Sequence, residues 1–296
     1  MAKSPGPNTP RDRNQAEDQK HQSILEYKKF HYLKWAIWAV VVASIGYAVS
    51  TVNGGVPDGG TPIGYALGVI GALLIAWLMW FGIRKRRYGG TGAPVEDWLS
   101  AHVYLGIALI AVATLHTGFQ FGWNVHTVAY ALMMIVIFTG VIGLFVYMRV
   151  PELMTQNRRG MTLEQMMREI SSLDAECRTA ALPLGDEVNQ LVLESAERTR
   201  IGGGIRNMLL GGDPACPTEK ASKQVQYLAS HTSTDQDEGF RALLGLLARK
   251  LDLLARARKD VRYKSLLDIW LYFHVPLSFA LIGALVAHVV SVFIYW

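Results

Sequence analysis

Charge is scarce in this sequence, and its distribution matters more than its amount. No Asp, Glu, Lys or Arg occurs in residues 35–57, 59–83, 98–148 or 269–296 of the 296-residue chain. All 29 basic and 24 acidic side chains lie outside those windows. Stretches of 23, 25, 51 and 28 uncharged residues exclude an ordinary soluble enzyme and a nucleic-acid-binding domain. The net charge of +5 therefore implies no nucleic-acid partner. Cysteine is almost missing too. Cys177 and Cys216 are too few for a four-thiolate iron–sulfur cluster or a disulfide scaffold. With no CxxC pair, they read as ordinary thiols. The N-terminus does not read as a secretory signal, since roughly thirty polar residues, Pro5, Pro7 and Pro10 among them, precede the first apolar run. Met1 to about Gln22 reads as disordered.

The uncharged windows are what remains to explain. A hydrocarbon core of about 30 Å takes about 20 apolar residues per helix. Three windows fit one span each and the 51-residue window fits a hairpin of two. The expectation is an all-α membrane protein with five transmembrane helices near 33–52, 62–83, 98–119, 127–148 and 267–294. Spans two to five are expected to form a four-helix bundle, with the first peripheral. The domain division is a cytoplasmic tail at 1–30, four spans within 31–149, a helical cytoplasmic insertion at 150–264 and the fifth span in 265–296.

Orientation follows from the basic residues. Lys28, Lys29 and Lys34, the run Arg84-Lys85-Arg86-Arg87, and the segment from Arg149 to Lys264 fall on alternate connections. The positive-inside rule makes those connections and the N-terminus cytoplasmic and puts Trp296 on the opposite face. A bacterial inner membrane with a periplasmic C-terminus is the expected location. The insertion holds 17 basic and 16 acidic residues between Pro151 and Lys264, a balanced soluble surface. Apolar residues recur at helical spacing in Met161–Leu173 and Phe240–Leu254. The Gly202-Gly203-Gly204 run lacks the remainder of a phosphate-loop pattern and reads as a linker.

Four of the eight histidines fall in spans: His102 and His116 in the third, His274 and His288 in the fifth. Each pair is fourteen residues apart, nearly four helical turns, so both members face one way about 21 Å apart along the axis. Both spans run in the same direction. If they face one another, His102 lies level with His274 and His116 with His288. Ionisable side chains inside a bilayer are costly and normally carry function. A neutral imidazole offers one ring nitrogen to a haem iron while the other donates to a neighbour. Two axial histidines saturate the iron, which suits electron transfer. Zinc is disfavoured, because no third or fourth ligand lies at those depths. A hydrogen-bonded packing role or a proton relay remains open for each histidine taken singly.

The two H-x13-H pairs resemble those of the diheme cytochrome b superfamily. Their placement on the third and fifth spans is similar to the ferric reductase-like transmembrane domain, and their spacing to quinol-oxidising cytochrome b. The resemblance covers about 150 residues and carries over only His102, His116, His274 and His288, as axial ligands of two haem b groups. Ferric reductases and NADPH oxidases add a flavin and nicotinamide domain after the last span, whereas this sequence stops at Trp296. The proline–glutamate–tryptophan–tyrosine motif of quinol-oxidising cytochrome b is missing, with Pro151-Glu152-Leu153-Met154 its nearest echo. The resemblance implies a membrane electron-transfer subunit of an oxidoreductase complex. Its expected partners are a cytoplasmic flavin or iron–sulfur protein, the quinone pool and an extracytoplasmic cytochrome c. Two alternatives stay open: a self-contained quinone or metal reductase, with Tyr272 and Phe273 beside a quinone ring, and a non-redox scaffold or transporter.

Lesser expectations attach to other residues. His31 and His126, at span ends, read as solvated interface histidines, as partners of a haem propionate or as additional ligands. His21 and His231 read as solvent-exposed. Arg84–Arg87 would suit propionates but are already explained by topology. Pro276 should kink the fifth span. Gly64, Gly68, Gly71, Gly140 and Gly143 would allow close approach of a macrocycle or of a helix. The Phe240–Leu254 stripe is expected to dock an electron-transfer partner beneath the inner haem, or else to close a helical cap on itself.

Overall fold

The computed structural model describes residues 30–85, 95–202, 216–231 and 237–295. Among these the secondary structure is entirely helical. Helices α1 (His31–Gly54), α2 (Pro62–Lys85), α3 (Val95–His116) and α4 (Val125–Arg158) precede α5 (Leu163–Ala181), a 3₁₀ turn (Leu182–Leu184), α6 (Asp186–Arg198), α7 (Pro217–Ala229) and α8 (Asp237–Tyr295). Five of them, α1 to α4 and α8, contain stretches long and apolar enough to cross a membrane. The chain is an integral membrane protein by that criterion. The tail before Phe30, Arg86 and Arg87, the glycines at 203, 204, 211 and 212, His21 and Trp296 lie outside the described residues.

Two compact units emerge. One holds the chain up to Val141 together with the segment from Phe273 onward; the other is Ile142–Tyr272. In the first unit the helices are apolar on all sides, as lipid-facing helices must be. Ala43, Leu67 and Val112 form one buried cluster. Leu109, Met133 and Leu281 form another. The first helix therefore packs into the bundle through Ala43, while Trp35, Trp38, Val42 and Ile45 stay exposed.

Three expected boundaries move. The third span ends at His116 instead of continuing to 119. Gly118 and Phe119 both take left-handed backbone, φ 57° and 61°, which an α-helix cannot continue through. The fourth helix runs ten residues beyond the expected end, through Pro151. The fifth span is the last part of one 59-residue helix that begins at Asp237 and continues past Pro276.

The second unit contains its own core. Thr162 accepts from the Gln165 N–H at 3.1 Å while Gln165 Oε1 accepts from the Thr162 N–H at 2.7 Å, a capping box that starts α5. Its buried face is Met166, Ile170, Leu173, Cys177 and Ala181, at helical spacing. Phe240, Leu243 and Leu247 of α8 pack with Cys177, Val188, Val192 and Val225. Leu254 and Ala257 pack with Met166 and Leu173. The stripe expected to dock a partner is thus consumed by the internal core, the ordinary fate of an amphipathic face.

Cys177 supplies a direct check on this core. Burial pushes its thiol up to about 11, so the neutral form persists at pH 8. Alkylation by iodoacetamide at that pH should be at least tenfold slower in folded than in denatured protein. An unfolded thiol titrates near about 8.5. The neutral buried thiol therefore adds stability below that pH, and this is lost as pH rises through the window towards about 11. Equal alkylation rates would show that the α5 face is open.

Candidate functional site

The structure gathers the four membrane histidines into two levels, both inside the first unit. At the upper level of the sequence order, His102 on α3 lies within electrostatic reach of His274 on α8 and against the backbone of Leu78 on α2. At the other level, the His116 and His288 ring centroids are 6.0 Å apart with planes at 87°. His116 is the final residue of α3, placed there by the turn at Gly118.

Hydrogen bonds define which ring nitrogen is protonated at two of these residues. His116 Nδ1 lies 2.8 Å from the Gly64 carbonyl, which only accepts. His116 therefore carries its proton on Nδ1 and presents a lone pair at Nε2. Thr139 donates its one hydroxyl proton to the Val136 carbonyl at 2.8 Å. Towards His274 Nδ1, 2.9 Å away, that oxygen acts as acceptor. His274 too is held as the Nδ1–H tautomer, with its lone pair on Nε2. This is the form in which histidines ligate metals, with the second nitrogen anchored.

His126, expected as a solvated interface residue, joins the second level. Its Nδ1 is 2.5 Å from His288 Nδ1, and the two ring centroids are 4.5 Å apart. Spacing separates the roles of His288's two neighbours. A metal–imidazole bond is about 2 Å, so an iron shared by two rings holds their centroids about 6 Å apart. The His116–His288 separation matches that figure and the His126–His288 separation is too short for it.

The glycines divide by what they face. A Cβ on Gly68 would lie 2.7 Å from His116 Cε1, and one on Gly140 would lie 3.4 Å from His274 Cε1. Gly71 meets Leu109 and Val112, Gly64 meets the Asp58 carbonyl, and Gly143 meets Trp270. Two of the five therefore make room for an imidazole and the others for ordinary packing. Among the described residues no three His, Cys, Asp or Glu side chains converge on a common metal position. The donors present fit a haem iron, which brings four nitrogens of its own and needs two imidazoles.

The two other described histidines, His31 and His231, take no part. His31 Nε2 accepts from the Trp35 indole at 3.1 Å. The exposed His231 lies beside Ser230 and Tyr227. No sequence pattern points to Thr139 or to the Gly64 carbonyl as a histidine partner. A signal for His126 did exist: it lies ten residues after His116 across a short connection, hence at the same end of the bundle. Comparison with protein families, curated proteins and solved structures finds no match to this chain.

Proposed function

We propose that the chain is a diheme b-type cytochrome, the membrane subunit of a larger redox complex, that carries electrons across a bilayer. The observation that carries this reading is the His116–His288 pair, at the spacing an iron requires and with His116 locked in the ligating tautomer. His102 and His274 would hold one haem b, His116 and His288 the other. Bound haem supplies a one-electron ferric/ferrous couple, and two imidazoles leave no open coordination position for oxygen. The chain's own contribution is positional. The Gly64 carbonyl and the Thr139 hydroxyl fix ring tautomers, while Gly68 and Gly140 leave the rings room.

With the N-terminus cytoplasmic in a bacterial inner membrane, the His102/His274 level faces the cytoplasm. A flavin protein, an iron–sulfur protein or quinone would exchange electrons there. Quinone or an extracytoplasmic cytochrome c would do so at the His116/His288 level.

The experiment is a pyridine haemochrome assay on purified protein, with two haems b per chain expected. His116→Ala and His288→Ala should each lower the count to one, and His274→Ala should remove the other haem. A protein without a Soret band would defeat the reading and favour a proton relay. A count unaffected by His288→Ala would refute the assigned ligands.

A further inference from the structure

The diheme reading leaves His126 without a task, although its ring is in contact with a proposed ligand. The position of His126 is set locally. It is the second residue of α4, whose first turn is capped by Asn124: Oδ1 accepts from the Thr127 N–H at 3.0 Å. The Asn124 carbonyl accepts from the Val128 N–H at 3.2 Å, and Thr127 Oγ1 accepts from the Gly122 N–H at 3.2 Å. This turn presents the His126 ring perpendicular to that of His288, at 90°, with the two Nδ1 atoms 2.5 Å apart.

One proton lies between the two nitrogens, so one ring donates and the other accepts. If His126 donated, the proton of neutral His288 would sit on Nε2 and close its ligating position. If His288 donates, its Nε2 lone pair is free and His126 keeps its own proton on Nε2. Ligation selects the second arrangement. We propose that His126 is a positioning residue that accepts the Nδ1–H of His288, fixing the ligating tautomer of that histidine and strengthening its electron donation. The inference rests on the diheme reading and deepens it for one level.

The three described partners differ in basicity. His116 donates to a carbonyl and His274 to a hydroxyl, whereas His288 would donate to an imidazole nitrogen, the strongest base of the three. A more basic acceptor leaves more charge on the ligand and favours ferric over ferrous iron. His126 therefore holds the midpoint of its own level down and leaves the other level alone.

The test uses redox titration of the haem absorbance in the full-length, detergent-solubilised protein, with the level identified as the midpoint lost in His116→Ala. His126→Leu should keep two haems and raise that midpoint by about 59 mV, the equivalent of a tenfold loss of ferric preference. The second midpoint should stay in place. His126→Gln, whose amide oxygen accepts from Nδ1–H, should return most of the shift. Loss of the haem in the Leu variant alone, with the Gln variant close to the unsubstituted midpoint, also supports positioning. An unmoved midpoint in His126→Leu with both haems retained overturns the proposal. So does loss of the haem in both variants, which would make His126 a ligand. Fewer than two haems in the unsubstituted protein would instead sink the diheme reading itself, so the two failures are distinct.

Discussion

On the diheme proposal, Gly68→Leu should cost the protein one haem, and Gly68→Ala should weaken binding at that level about 10- to 100-fold, the usual effect of disturbing a ligand's anchoring partner. The cause is steric and local. A Cβ at position 68 would meet His116 Cε1 at 2.7 Å and Nδ1 at 3.0 Å. The ring cannot simply turn away, because its Nδ1–H is committed to the Gly64 carbonyl one turn earlier on the same helix. The alternative is for α2 to withdraw from α3, which would open the contact of Leu67 with Val112 and Ala43. In an exposed helix, replacing Gly by Ala gains about 0.5–1 kcal/mol from backbone entropy. A drop in haem content without a drop in stability therefore separates a disturbed site from an unfolded helix. Gly71→Ala is the control: its Cβ would meet Leu109 and Val112 at 3.8–4.0 Å, ordinary contact, and haem content should stay at two. Full haem occupancy in Gly68→Leu would show that His116 is not the ligand.

The spans were legible because lipid imposes one rule on every position of a helix, and a run of uncharged residues is enough to reveal it. The facing of the histidines was legible for a related reason. Fourteen residues is close to a whole number of turns, so His102 with His116 and His274 with His288 had to share helix faces. What could not be read was the set of partners. The Gly64 carbonyl belongs to backbone, and no side-chain pattern announces which carbonyl of α2 will meet an imidazole of α3. Thr139 was one more small residue in an uncharged span until α8 came beside it.

Boundaries failed for local reasons. Phe119 adopts φ 61°, a conformation that its residue type does not advertise. The union of the fifth span with the helix from Asp237 was hidden by a change of pattern, since the same helix is first amphipathic against a protein core and then an uncharged apolar run. Charge balance said nothing of the insertion's interior, where Lys250 is only 1% exposed.

That lysine carries the largest stability effect expected in the second unit. Its Nζ donates to Asp174 Oδ1 at 2.5 Å, to the Ser195 carbonyl at 3.0 Å and to Ser195 Oγ at 2.8 Å. Ser195 Oγ in turn donates to Thr218 Oγ1 at 2.9 Å. One ammonium group thereby ties α5, α6, α7 and α8. Asp174→Ala removes the only carboxylate partner among the described residues and leaves a buried cation held by neutral oxygens. Breaking a buried pair from one side costs about 3–5 kcal/mol. The lower end applies here, because Asp174 keeps 21% of its side chain in solvent and is partly screened. Lys250→Met removes the cation instead; Asp174 can then hydrate, Ser195 Oγ keeps Thr218, and the methionine fills the apolar stem's place. Its cost should be the smaller, and Asp174→Ala combined with Lys250→Met should recover most of the loss, since no unpaired charge remains. Limited proteolysis of full-length protein, read at cleavage sites within 150–264, measures the series. If Asp174→Ala is no more labile than Lys250→Met, the network is held by its neutral hydrogen bonds and the charge pair is incidental.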